Sequence, residues 1–104
     1  MSFDGIVAGD YGQVMELTYI DIDTGIAADI STYSDTIRLI FTKAENGTPT
    51  NKTATFVTDG SDGKVQYTTE SGFLTAGIWF VRGQVINTGT AVLSTAKVEF
   101  RVLD

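Results

Sequence analysis

Apolar and polar side chains alternate along several short stretches of this sequence. The clearest case is segment 97–103, Lys-Val-Glu-Phe-Arg-Val-Leu, in which three charged residues each precede an apolar one. Successive side chains of a β-strand point to opposite faces of a sheet, so a period of two is typical of a strand with one buried face. Segment 37–43 has a similar pattern. We find no helical period longer than a turn; residues 71–76 are expected to form at most one helical turn between sheets.

Four further segments are rich in the β-branched and aromatic residues that favour strands, namely 13–20, 52–57, 64–69 and 78–86. Turn residues such as Gly, Asn and Asp lie between them. Together these segments predict an all-β fold, an immunoglobulin-like β-sandwich of about seven short antiparallel strands, with a small barrel as the alternative. The 104 residues suffice for one core. We expect a mobile N-terminal arm over 1–12 and a single domain over 13–104.

The alternation also predicts which apolar residues form the core. Trp79, Leu39, Phe41 and Phe100 are expected to meet between the two sheets. Other apolar residues fall on the opposite face of the same strands. Either loops or the N-terminal segment fold over that face, or it docks against a neighbouring subunit. The interface candidates are these residues and one aromatic residue of the arm: Ile40, Ile78, Phe80, Ile86 and Tyr11.

Composition argues against several classes of function. Seven basic and 13 acidic residues give a net charge of −6, so nucleic acid and anionic membranes are not expected partners. The sequence has no cysteine and no histidine, which removes disulfides, thiolate chemistry, the commonest general base and the commonest zinc ligand. It has no apolar run near the roughly 18 residues that a membrane span needs. We therefore expect no enzyme, no catalytic residue and no cofactor.

Two Asp-Gly pairs lie close together in segment 58–67, Thr-Asp-Gly-Ser-Asp-Gly-Lys-Val-Gln-Tyr. A hairpin accounts for both pairs, because glycine adopts positive φ and aspartate side chains accept hydrogen bonds from nearby amides. The alternative is a weak calcium site that uses Asp59 and Asp62, although the closing Glu of a calcium loop is missing. A second acidic group, Asp21, Asp23 and Asp29, is expected to be a solvated hairpin end by the same comparison.

A carbohydrate-binding or adhesion module is the alternative function from another class. Such a module needs exposed aromatic rings that can stack on a sugar. Tyr11, Tyr33 and Phe73 are the candidates, since each lies in a predicted loop or at a strand end.

Segment 57–85 resembles the N-terminal immunoglobulin-like domain of phage baseplate upper proteins. In that family a Gly-rich hairpin precedes a Tyr-Thr-Thr strand, a corner that ends in Ala-Gly, and a strand with a tryptophan. The matching positions here are Asp62, Gly63, Tyr67, Thr68, Leu74, Ala76, Gly77 and Trp79. The similarity spans residues 9–104. These motifs specify a fold more than an activity.

The resemblance implies a small accessory structural protein of a tailed bacteriophage, made in the host cytoplasm and located in the virion. Baseplate upper proteins continue into further segments that carry receptor-binding proteins, whereas this sequence stops at Asp104. A stand-alone module is expected to serve as an auxiliary or decoration protein that docks on the capsid or anchors a fibre. The alternative is a tail or baseplate adaptor. Its expected partners are other virion proteins and further copies of itself.

Overall fold

The computed structural model describes residues 6–9, 11–20, 23–44, 47–89, 91–95 and 97–103. It contains eight strands: β1 (Val14–Thr18), β2 (Thr36–Lys43), β3 (Pro49–Thr53), β4 (Thr55–Phe56), β5 (Lys64–Thr68), β6 (Gly77–Asn87), β7 (Ala91–Ser94) and β8 (Val98–Val102). Within the described ranges no helix is long and apolar enough to cross a membrane. The expected helical turn over 71–76 is instead part of a hydrogen-bonded turn, in which the Phe73 amide donates to the Glu70 carbonyl at 3.3 Å.

The strands form two antiparallel sheets, and the all-β sandwich prediction is confirmed. One sheet has three strands in the order β1-β5-β4, and the other has five, in the order β3-β2-β6-β7 with β8 also on β6. The long strand β6 pairs with β8 along its first half and with β7 along its second half. Two antiparallel sheets with a shared core are the architecture of a β-sandwich.

The start of the described chain packs on the sandwich. Ile6 is buried in the core, and Val7 forms a parallel bridge with Leu103, next to β8. The Ala8 amide donates to the Leu103 carbonyl at 2.6 Å, and the Leu103 amide donates to the Ile6 carbonyl at 2.8 Å. Residues 6–8 of the arm expected over 1–12 thus contact the sandwich. Residues 1–5 and 10 of that arm lie outside the described residues, and its mobility stays a prediction.

One predicted strand is wrong. Segment 52–57 was expected to be continuous, but β3 pairs with β2 in the five-stranded sheet and β4 pairs with β5 in the other. The change of sheet occurs at Ala54, which is buried and whose amide donates to the Ile37 carbonyl at 2.9 Å. Ala54 is small enough to pack against the core where the chain bends. The alternation of apolar and polar residues therefore continues through the bend, and the sequence pattern does not reveal it.

The core between the sheets is built around Phe41, which is fully buried. Its ring centroid lies 5.1 Å from that of Phe73 and 5.5 Å from that of Tyr67. The four residues expected in the core, Trp79, Leu39, Phe41 and Phe100, all belong to this one cluster. Tilted and edge-on ring pairs contribute about 0.5–1.5 kcal/mol each beyond area burial. The Trp79 Nε1–H donates to the Thr75 carbonyl at 2.8 Å, so the indole is buried with its polar atom satisfied.

Candidate functional site

The most distinctive surface is the side of the five-stranded sheet that faces away from the core, here called the outer face. Its positions follow from the register of β2 with β6, in which Thr42 pairs with Phe80, Ile40 with Arg82, Arg38 with Gln84, and Thr36 with Ile86. The residues between these on β6 are buried. Since side chains alternate along a strand, the paired residues point outward together.

Apolar side chains run along the outer face. Ile78, Phe80 and Ile86 lie on it as predicted, and each is half-buried. Ile40 shares the face but is only 9% exposed, so it supports its neighbours and offers little area to a partner. A concavity of about 210 Å³ opens here, with Ile40, Phe80 and Arg82 among its lining residues. Three of the four predicted interface residues on this face therefore remain available for contact.

The outer face also concentrates positive charge. Among the described residues, the cations on this face are Arg38, Arg82, Lys97 and Arg101, and the carboxylate on it is that of Glu99. These five residues give the face a formal charge of +3, and the other described residues, with three lysines and seven acids, have −4. This separation of charge cannot be read from the sequence alone, because it depends on the register that puts β2, β6 and β8 side by side.

Most of these cations lack an intramolecular counterion. Within the described part of the chain, Arg82, Lys97 and Arg101 form no ion pair. Arg38 donates from Nε to the Gln84 Oε1 at 2.9 Å, which fixes its guanidinium beside a neutral group. The outer face therefore combines half-buried apolar area with unneutralised positive charge.

The double Asp-Gly segment is a hairpin, as predicted. It joins β4 to β5, and Gly60 and Gly63 have φ of 88° and 74°. The Asp59 Oδ1 accepts the Ser61 amide at 2.9 Å, and the Asp62 Oδ1 accepts the Lys64 amide at 3.1 Å. No group of three acidic side chains among the described residues could hold a metal ion. The aspartates act here as turn acceptors.

A second turn of the same design lies beside this hairpin. The Asp29 Oδ1 accepts both the amide and the hydroxyl of Ser31, at 3.0 and 2.7 Å. The Ile30 amide donates to the Gly60 carbonyl at 2.9 Å and links the two turns. Hydrogen bonds from the serine hydroxyl and amide lower the pKa of Asp29, and the equivalent bonds from Ser61 lower the pKa of Asp59.

These turns belong to a surface that we call the acidic end, formed by the described residues of the loop after β1 and of the β4–β5 hairpin. Its exposed carboxylates are those of Asp23, Asp29 and Asp59. Two large aliphatic residues are also exposed there, Ile20 at 56% and Ile26 at 68%. The Ile20–Ala27 bridge places them at the same hairpin. Asp21, expected in this group, lies outside the described residues.

The aromatic residues suggested for sugar binding differ in their exposure. Tyr11 is 69% exposed, whereas Tyr33 and Phe73 are half-buried against the core. The Phe73 ring packs edge-on against Phe41, and the Lys52 Nζ lies 4.3 Å from its centroid. Its ring is therefore engaged within the molecule. Tyr11, also an interface candidate, lies in the segment that precedes β1 and is not on the outer face.

Comparison of the chain with models of protein families, with curated proteins and with solved structures found no match.

Proposed function

We propose that this chain is a non-catalytic structural module of a tailed-phage particle, which attaches to its site through the outer face. In this proposal it is an auxiliary or decoration protein on the capsid or an anchor for a fibre, with a tail or baseplate adaptor as the alternative position. The observation that carries the proposal is the combination of half-buried apolar residues and unpaired cations on one sheet face.

The outer face suits attachment for two physical reasons. Burial of the exposed parts of Ile78, Phe80 and Ile86 would contribute about 25 cal/mol per Å² of apolar surface. The cations around them would favour partners of opposite charge and set the orientation of approach. On a repeating lattice, many modest contacts of this kind act together.

The particle context comes from the resemblance to baseplate upper proteins, whose domain has the same class of fold. The non-catalytic part of the proposal is supported by the sequence, which lacks histidine and cysteine. It is also supported by the aspartates of the two turns, whose side-chain oxygens accept hydrogen bonds from adjacent amides and hydroxyls.

Particle incorporation tests this function. Phages that carry Phe80→Asp and Ile78→Asp would be purified, and the protein would be quantified by mass spectrometry of the particles. We expect incorporation to fall at least tenfold, while circular dichroism shows a folded sandwich. Val14→Asp is the matched control, because Val14 is 59% exposed on a strand of the other sheet. The proposal would be refuted if the folded double variant were incorporated at the wild-type level. It would also be refuted if particles of the wild-type phage contained none of this protein.

A further inference from the structure

We propose that the outer face of one molecule receives the acidic end of a second copy, so that the protein associates head to tail. This inference rests on the proposed docking role of the outer face and names its occupant.

Charge complementarity is the first argument for a second copy. Among the described residues, a face with a formal charge of +3 belongs to a molecule whose other described residues carry −4. Arg82, Lys97 and Arg101 lack ion pairs within the described residues, so a partner could neutralise them without breaking an existing contact. A second copy supplies the required negative surface at its acidic end, where Asp23, Asp29 and Asp59 are exposed.

Apolar complementarity is the second argument, independent of charge. Burial of an exposed aliphatic side chain by a partner contributes about 25 cal/mol per Å² of apolar surface. Ile20 and Ile26 project from the acidic end. The concavity on the outer face, about 210 Å³ with Ile40 and Phe80 in its lining, has room for an aliphatic side chain and apolar groups to contact it.

The two surfaces differ, so the contact is heterologous. Each molecule has one outer face and one acidic end, and both can be used at once. A heterologous contact forms a ring if the rotation closes and an open chain if it does not. Either product would give a particle lattice a repeating row of modules.

Sedimentation velocity over a range of protein concentrations tests the inference. We expect the weight-average mass of the wild-type protein to rise with concentration at low salt. The rise should be lost in roughly 1 M salt, where the Debye length is about 3 Å. A mass that stays monomeric at about 1 mM, or that rises equally in both salts, would overturn the inference.

Two variants test the geometry. The face variant combines Lys97→Gln with Arg101→Gln, and the end variant combines Asp23→Asn with Ile26→Ser. Each should remain monomeric by itself. An equimolar mixture should form a 1:1 complex and nothing larger, because the intact end of the face variant meets the intact face of the end variant. The control, Val14→Ser, changes an exposed residue of β1 outside both surfaces and should associate like the wild type.

The outcomes separate this inference from the proposed function. If the wild type stays monomeric while the face variant is lost from particles, the outer face binds a different partner; the inference fails and the function stands. If association follows the predicted pattern while particles retain the face variant, the function fails and the inference stands. The second copy would be excluded as the occupant if either variant associated like the wild type. It would also be excluded if a single-stranded oligonucleotide bound the wild type and not the face variant.

Discussion

The Tyr19 hydroxyl is a buried polar group whose removal should stabilise the protein. Tyr19 is 3% exposed, and within the described part of the chain its hydroxyl has no hydrogen-bond partner. Burial raises the pKa of this phenol, as expected for a group removed from water. An unsatisfied buried hydroxyl costs about 1–3 kcal/mol. Tyr19→Phe keeps the ring in the core and removes that cost.

We expect Tyr19→Phe to raise the free energy of unfolding by about 1–2 kcal/mol, within the range for an unsatisfied group. For a domain of this size, 1 kcal/mol corresponds to roughly 4–8 °C in Tm. Urea titration followed by Trp79 fluorescence, together with a calorimetric melt, measures both quantities. A loss of about 1 kcal/mol would refute the reasoning, because it would show that the hydroxyl makes a favourable hydrogen bond in solution.

Gly83 provides a second test of the same contact. A methyl group built on Gly83 would lie 2.9 Å from the Tyr19 hydroxyl oxygen, and the ring carbon that bears this oxygen would be 3.3 Å away. Gly83→Ala should therefore cost less in the Tyr19→Phe background than in the wild type. Coupling of residues in direct contact is usually about 0.5–3 kcal/mol. A double-mutant cycle that gives no coupling would mean that the hydroxyl moves aside freely.

Three further predictions concern pH and the turns. The pKa values of Asp29 and Asp59 are lowered in the folded protein, so the unfolded chain binds protons first as pH falls. The stability that these groups contribute above about pH 4 should therefore decline below that pH. In thermal melts from pH 2 to 5, the Asp29→Asn, Asp59→Asn double variant should show a smaller decline than the wild type. Burial, with the hydrogen bond to Glu70, raises the pKa of Tyr67 to about 12. Stability should therefore decline as pH rises from about 10, where an unfolded tyrosine ionises, and Tyr67→Phe should reduce that decline in urea titrations at pH 9–12. Gly60→Ala should lower the free energy of unfolding more than Gly25→Ala does, as measured by urea titration. Both glycines have positive φ, but among these two an added methyl group lies 3.0 Å from Phe56 and Ser31 at Gly60 alone. Equal losses of unfolding free energy would show that this contact is unimportant.

The fold was predictable where burial alone determines the pattern. Alternation identified Leu39, Phe41 and Phe100 because each lies on a strand with one face in the core. The Asp-Gly hairpin was predictable because its glycines need positive φ and its aspartates need nearby amides. Strand β7, Ala91–Ser94, was not predicted, since four residues are too short for a period to be recognised.

The candidate surfaces were less predictable because they depend on residues far apart in sequence. Ile78, Phe80 and Ile86 could be assigned to one face from β6 alone. The positive charge of that face needs the pairing of β6 with β8, which places Arg101 opposite Ile78. The link between the turns at Ile30 and Gly60 joins segments 30 residues apart, a pairing that neither local sequence specifies.

The change of sheet at Ala54 ties the two halves of the molecule by covalent linkage at a single residue. Displacement of β4 from its sheet would displace β3, which lies on the other side of Ala54 in the chain, and would break the hydrogen bond from the Ala54 amide to the Ile37 carbonyl on β2. We therefore expect that neither sheet unfolds while the other stays intact. Amides at the centres of β2 and β5 should consequently exchange with solvent through the same global opening, with equal protection free energies. The sandwich would then lose its structure in one step, without a stage in which one layer survives alone.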